Sequence, residues 1–385
     1  MKKVVIFQYR LLHYRARLFD RLREECVKRS IELHLVHGQA SHQELARKDE
    51  GTLAWAHKVR NKYWYLGGKD LVWQPFPFGL RDADLVVVMQ ENRILSNYPL
   101  LLSRLWSGPK VAYWGHGVNL QSSAPNGLRE KWKLLMLTKV DWWFAYTSLT
   151  VRYLRQAGYP IERITCLDNA IDTGGFKADL AAVSDEVLAD ARAALGIRTA
   201  APVGIFCGSL YPEKRLDFLV EAADRVQADK PDFHLLVLGD GPSMYFLREK
   251  GTDRPWIHLL GMKKGRDKAL YFRMADFMLN PGLVGLNIVD AFCAGLVIAT
   301  TNDARHGPEI AYLRKGVNGL LTSDNAEEYA ATVLKLIYDR NALKRIKAIA
   351  LADSERYTLE NMVSNFVSGI ELALSAPKYA ALKRE

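Results

Sequence analysis

Two stretches decide how this chain folds: Gly208-Ser-Leu-Tyr-Pro-Glu-Lys-Arg215 and Pro281-Gly-Leu-Val-Gly-Leu-Asn-Ile-Val-Asp-Ala-Phe-Cys-Ala-Gly295. Each follows a short apolar run, at 203–207 and 277–280, and each leads into apolar residues at helical spacing, at 216–223 and 287–294. A strand that turns through glycine into a helix lets backbone N–H groups approach an anion, and the helix adds the positive end of its dipole. Two such turns predict a clamp for a diphosphate. Lys214 stands at the entrance of the first helix and Asp290 about one turn inside the second.

Outward from these turns the same alternation repeats. Before them lie Lys3-Val-Val-Ile-Phe-Gln8, Ile31-Glu-Leu-His-Leu-Val36, Leu85-Val-Val-Val-Met89 and Lys110-Val-Ala-Tyr-Trp114, with a candidate helix at 15–29. After the first turn come apolar runs at 234–239, 256–260, 276–279 and 296–300. Short strands alternating with helices predict parallel sheets covered on both faces. The α/β chain is therefore expected to form two doubly wound, Rossmann-like domains facing a central cleft, 1–172 and 173–353. A helix over 354–385 is read as crossing back to the first domain. In such sheets ligands sit at the carboxyl ends of the strands, where both turns fall.

At 385 residues, 49% hydrophobic and 25% charged, the chain has the size and composition of two ordinary globular cores. No apolar run approaches the roughly 18–20 residues of a membrane span, and Val4-Val-Ile-Phe7 lacks a signal-peptide core, so a cytoplasmic location is expected. The four cysteines, Cys26, Cys166, Cys207 and Cys293, are scattered, which predicts reduced thiols. His34 and His37 alternate on one strand and face opposite sides, a poor metal pair. The net charge of +10 is lopsided: residues 1–170 hold 26 Lys and Arg against 15 Asp and Glu, the remainder 27 against 28. That excess points to an anionic partner for the first half, a membrane surface, a phosphorylated lipid or a nucleic acid, or simply to a soluble basic protein. Residues 129–137, Arg-Glu-Lys-Trp-Lys-Leu-Leu-Met-Leu, read either as a peripheral membrane helix at the inner face of the membrane or as a buried helix with snorkelling lysines.

In order and spacing these segments resemble the retaining, GT-B-fold glycosyltransferases of glycosyltransferase family 4, many of which assemble bacterial surface polysaccharides. Asn169-Ala-Ile-Asp172 is similar to that family's end-of-domain turn, Gly208 to Arg215 to its Gly-Arg-Leu…Lys turn, and Gly239-Asp-Gly-Pro242 to the strand-loop that follows. Val289-Asp-Ala-Phe-Cys-Ala-Gly295 resembles its Glu-Ala-x-x-x-Gly segment. The resemblance implies that the first domain binds the acceptor and the second a nucleotide sugar. Lys214 would neutralise the donor diphosphate, and Asp290 would accept hydrogen bonds from the ribose hydroxyls. A solvated turn lysine and a first-turn acid are the plain alternatives. Two positions depart from the pattern: the family's first glutamate falls on Gly282 and its turn arginine on Ser209. Backbone groups of Leu283, Val284, Gly285, Leu286 and Asn287 then become candidates to hold the sugar. Arg215, Lys263 or Lys264 become candidates to replace the missing guanidinium.

The same resemblance places His116, in Trp114-Gly-His-Gly-Val-Asn119, beside the donor sugar, and Glu309, in His306-Gly-Pro-Glu309, at the sugar or as a helix cap. Tyr14, Arg15 and Glu91, with Asn92, end strands on the acceptor side. The expected activity is retaining, hexosyltransferase-like transfer from a UDP- or GDP-sugar to a glycan or lipid-linked acceptor. His116 and Lys214 are the catalytic candidates, with Gly208 and Ser209 in the donor turn. No metal, cofactor or nucleic acid is expected. A nucleotide-sugar epimerase and a catalytically silent nucleotide-sugar binder remain alternatives. A dehydrogenase is disfavoured because no Gly-x-Gly-x-x-Gly follows the first strand.

Overall fold

The structure, a computed structural model, describes residues 1–45, 49–104, 106, 108–117 and 128–379. The chain divides into two compact units, 1–171 with 359–385, and 172–358.

The first unit opens with β1 (Lys2–Gln8), α1 (Ala16–Lys28), β2 (Ile31–His37) and the short β3 (His57–Lys58). An antiparallel hairpin follows, β4 (Lys62–Leu66) and β5 (Lys69–Trp73), turning through Gly67 and Gly68, both at positive φ. Such a two-residue turn is a glycine position because its backbone must match the strands' right-handed twist. Then come β6 (Leu85–Met89), α2 (Asn97–Ser103), β7 (Lys110–Gly115), α3 (Leu128–Leu137), β8 (Trp142–Ala145), α4 (Ser148–Gln156) and β9 (Ile164–Cys166). Seven strands pair in the order β3-β2-β1-β6-β7-β8-β9, all parallel. The unbroken apolar runs follow from covering both faces. Val4 and Ile6, with Trp114 and Phe144, enter the core under α1, while Val5 and Phe7, with Tyr113 and Trp143, enter the core that Leu101, Leu137 and Leu154 close from α2, α3 and α4.

The second unit starts with α5 (Thr173–Ala181) and α6 (Asp185–Ala194), capped by Asp172 and Ser184, whose side chains accept from Gly175 and Val187 N–H. Its sheet is built from β10 (Val203–Cys207), α7 (Leu216–Asp229), β11 (His234–Leu238), α8 (Met244–Gly251), β12 (Ile257–Gly261), α9 (Gly265–Met274), β13 (Phe277–Leu279), α10 (Asn287–Cys293), β14 (Val297–Thr301) and β15 (Gly319–Thr322). The strand order is β12-β11-β10-β13-β14-β15, again parallel. Consecutive β-α-β steps run outward from β10 and, in the other direction, from β13. The two strands that meet at this reversal are the ones followed by the Gly208 and Pro281 turns. α11 (Ala326–Tyr338) and α12 (Arg340–Asp353) close one face through Tyr329, Val333, Leu336 and Ile346.

The last helix, α13 (Leu359–Ser375), returns to the first unit. Leu359, Met362, Val363, Phe366, Val367, Ile370 and Ala373 form one buried stripe at helical spacing. Phe366 stacks on Phe144 at 4.5 Å and meets Trp114 edge-on at 5.1 Å.

Candidate functional site

In the second unit the crossover point between β10 and β13 is also where the two glycine turns lie against each other. Gly208, at φ +156°, follows Cys207 and donates its N–H to Leu238 O at 3.0 Å. A single 3-10 turn, Pro212–Lys214, and Arg215 in the left-handed region then lead into α7. The Pro281 turn docks on this segment: Leu283 donates its N–H to Glu213 O at 3.0 Å, and Lys214 Nζ donates back to Leu283 O. Gly282 permits that approach. A Cβ there would lie 2.4 Å from both Glu213 O and Lys214 C, so no side chain fits where the resembled family carries its first acid.

The rest of the turn is pinned from β14. Thr301 donates its hydroxyl to Pro281 O at 2.9 Å, and the buried His306 bridges Val284 N–H, which it accepts at Nδ1 (3.2 Å), to Thr301 O, which lies 2.7 Å from Nε2. That bonding fits a neutral ring, and burial, with Lys214 nearby, lowers its pKa against the pull of the Thr301 carbonyl. Gly285 N–H goes to Asn287 Oδ1 at 3.0 Å. The amides of Leu283, Val284 and Gly285 are therefore committed to the protein, which corrects the expectation that the whole run 283–287 offers backbone groups to a sugar. Leu286 and Asn287, at the entrance to α10, are the two members whose N–H groups these contacts leave out.

Two charges dominate the crossover. Burial pushes the Lys214 ammonium down to about 8, with Cys207 and Glu213 acting the other way. Asp290 is buried on α10; one carboxylate oxygen holds Lys268 Nζ at 2.7 Å, and the other, Oδ1, is buried with no partner. Burial works against the Lys268 charge, but Asp290 and Cys207 outweigh it and raise its pKa. The Cys207 thiol, pushed up to about 12 by burial, feels Lys268, Asp290 and Lys214 together, so the lysine and the acid named from sequence border one strand end.

Other candidates fall elsewhere. Ser209 is exposed. Arg215 turns away to Asp324 and to the Thr301 hydroxyl (3.4 Å), over the Phe218 ring, so its guanidinium is engaged outside the turn. Lys263 lies 5.8 Å from the Tyr271 ring, and Lys264 is the exposed N-cap of α9. Glu309 is buried in the 3-10 turn Pro308–Tyr312, its carboxylate against Gly307, a turn position more than an open ligand contact. Lys268 and His306 carry parts that the sequence reading did not assign. Lys268 stands four residues before the buried Phe272 on α9, a spacing that marks the inward face.

In the first unit, His116 is exposed just past β7, followed by Gly117 in the left-handed region. The Thr150 hydroxyl donates to His116 O at 3.2 Å, and the imidazole meets the Tyr146 ring edge-on at 4.5 Å. Arg15 is buried before α1 and donates to Tyr146 Oη at 2.9 Å. Tyr14 is exposed beside it. Glu91, past β6, is tied to Arg93 at 2.7 Å, which also binds Asp70. Val118, Asn119 and the stretch 122–127 lie outside the described residues. On α3, Trp132, Leu134 and Leu135 are exposed. Among the described residues no three His, Cys, Asp or Glu side chains gather as a metal site, and no helix is long and apolar enough to cross a membrane.

A turn-and-helix crossover with an ammonium and an acid at the strand ends defines a class, and comparison with known proteins gives its name. Residues 201–339, within the second unit, match the model of the family described as glycosyl transferases group 1. Over 139 residues, 34% of each chain, the protein is 30% identical to alpha-monoglucosyldiacylglycerol synthase of Acholeplasma laidlawii. The chain spans less than half the length of the curated relatives it matches, between 23% and 45%. HepE of Anabaena, crystallised with UDP, superposes with a TM-score of 0.68 at 16% identity, over 96% of this chain and all of HepE. Sucrose-phosphate synthase of Thermosynechococcus elongatus gives 0.69 at 13% identity, over 98% of this chain and all of that one. The fold is GT-B.

Proposed function

We propose that this chain is a glycosyltransferase that moves a sugar, with retention at the anomeric carbon, from a nucleotide diphosphate sugar to a hydroxyl of a glycan or lipid-linked acceptor. The observation that carries the reading is the pair at the β10–β13 crossover: a partly buried Lys214 ammonium on one turn and a partnerless Asp290 oxygen on the other. The first suits a diphosphate as a compact charge, and the second suits a ribose hydroxyl that needs a buried acceptor.

In this reaction the acceptor oxygen forms the new bond on the face the donor leaves. The bond from the anomeric carbon to the diphosphate oxygen breaks, and its electron pair goes to the diphosphate. The acceptor's hydroxyl proton passes to the departing phosphate. Lys214 and the Leu286 and Asn287 amides stabilise the charge that develops there. His116 is the first unit's candidate for steadying the sugar.

HepE was crystallised with UDP and with UDP-glucose, and the Acholeplasma relative is by its name a glucosyl-lipid synthase. UDP-glucose and a diacylglycerol therefore lead the screen. Thermal-shift measurements against UDP, GDP, ADP and their sugars are expected to show stabilisation by one nucleoside diphosphate. Lys214→Ala should weaken that binding at least tenfold; equal affinity in the variant would remove the assignment. NMR of the product should show the donor's anomeric configuration. A silent nucleotide binder is favoured by the departures at Gly282 and Ser209 and by the basic first half, and binding without transfer to any acceptor would select it.

The exposed Trp132, Leu134 and Leu135 and the basic excess of residues 1–170 support peripheral membrane contact. Cosedimentation with anionic liposomes, lost at high salt and absent with neutral ones, is the expected result.

A further inference from the structure

Three arginines are buried among the described residues, and two have acidic partners. Arg104 forks onto Asp141 at 3.1 and 3.0 Å, and Arg10 pairs with Asp49 and Glu44. Arg15, 7% exposed, is different. No carboxylate among the described residues pairs with it, and its Nη1 is buried without a hydrogen-bond partner. Its surroundings are aromatic: the guanidinium carbon lies 4.6 Å from the Trp114 ring centre and 5.5 Å from that of Tyr146. Such contacts offset only part of what burying an uncompensated ion costs.

Three further observations give the orphaned nitrogen a direction. Trp114, the ring under the guanidinium, has a buried Nε1–H with no acceptor of its own. Arg15 ends the 3-10 turn His13–Arg15 that runs directly into the thirteen-residue α1, whose first turn contains no acid, and the Arg15 and Ala16 N–H groups are already bonded to Leu12 O and His13 O. Arg15 and Tyr146 lie beyond the carboxyl ends of β1 and β8, Trp114 is the penultimate residue of β7, and His116 packs against the same Tyr146 that receives the Arg15 hydrogen bond. Arg15 Nη1 and Trp114 Nε1 are thus two neighbouring buried donors without acceptors, and no described carboxylate pairs with Arg15.

We propose that Arg15 is the anion-binding residue of the first unit and that its ligand is a phosphate group carried by the acceptor. The inference rests on the transferase reading for the word acceptor; the anion site itself rests on Arg15 alone. A phosphate presents several oxygens, which suits a guanidinium and an indole N–H acting together. Lys214, the other candidate for binding an anion, lies in the other unit.

The test titrates inorganic phosphate into the full chain carrying Lys214→Ala, which disables the other anion site, and into the same chain with Arg15→Gln or Arg15→Lys added. Saturable binding by calorimetry is expected in the first. At least tenfold weaker binding is expected with Arg15→Gln, and at least threefold weaker with Arg15→Lys, whose single nitrogen cannot fill the guanidinium's place. In an otherwise native chain, Arg15→Gln should leave nucleoside diphosphate affinity unchanged. No phosphate binding by the Lys214→Ala chain, or equal binding in a folded Arg15→Gln chain, overturns the site. Should Arg15→Gln fail to fold, equal binding by Arg15→Lys does so instead. Loss of nucleotide affinity in parallel with phosphate would assign the anion to the donor and overturn the acceptor assignment. A chain that binds nucleotide but not phosphate sinks this inference alone, and one that binds phosphate through Arg15 but no nucleotide sinks the transferase reading alone.

Discussion

Lys214 is the residue whose chemistry is most exposed to experiment. Burial pushes its ammonium down to about 8, so at pH 7 it is charged and ready for an anion, while above 8 a proton must be taken up as the diphosphate arrives. Nucleotide affinity is therefore expected to hold steady from pH 6 to 7.5 and to fall by up to about tenfold per pH unit above 8. Calorimetry at pH 9 in two buffers of different ionisation enthalpy should register the proton uptake, and Lys214→Ala should abolish both the slope and the buffer difference. Lys214 and Asp290 were legible in the sequence because each belongs to a local pattern, strand, glycine turn, helix, that spans a dozen residues. Lys268 and His306 were not, because what makes them matter is a contact 22 residues away in each case, Lys268 with Asp290 and His306 with Val284. Arg215 looked available for the same reason in reverse: its partner Asp324 lies 109 residues further on.

At the scale of elements, the two glycine turns behave as one object. Gly282→Ala adds a single carbon, but that carbon would stand 2.4 Å from the Glu213 carbonyl oxygen, so the turns must part. A loss of about 1–3 kcal/mol of stability is expected, together with nucleotide affinity weakened at least tenfold. An alanine variant with native affinity would show that the turns act independently. The strands legible in the sequence are rich in Val, Ile and Leu, as parallel sheets require, although Glu32 and His34 interrupt β2. Sequence reading passed over the β4–β5 hairpin, where Tyr63 and Tyr65 stand two apart on β4 before the Gly67-Gly68 turn, because that pattern belongs to a separate two-stranded antiparallel sheet and not to the repeating β-α unit. It also passed over β8, whose four residues Trp142 to Ala145 are too few to show a period although all are buried. The fold class came from repetition, which survives such omissions.

For the whole molecule, acid is the expected weak point, and the second unit shows why. His234 and His258 sit on neighbouring strands with ring nitrogens 3.0 Å apart. Burial, and then the His234 ring, drives His258 down to about 4; burial lowers His234 as well. An unfolded chain binds a proton at each ring near 6.5 and the folded one does not, so stability is complete above that value and drains away as pH falls toward 4. The His258 share is on the order of 1–2 kcal/mol after allowance for solvent at a half-buried ring. Thermal unfolding followed from pH 7.5 to 4.5 should show the decline, and His258→Gln should flatten it. An unchanged slope would place the acid sensitivity elsewhere.

The route of α13 has a consequence for synthesis. Phe366, Val367 and Ile370 complete a core begun at Val4, yet some 190 residues of the other unit are made in between. On the ribosome the first sheet must wait with one face bare, while the second unit, whose residues are contiguous, can finish first. The order of maturation would then be the reverse of the order of translation, and a nascent chain stalled before residue 359 should be the form that chaperones hold.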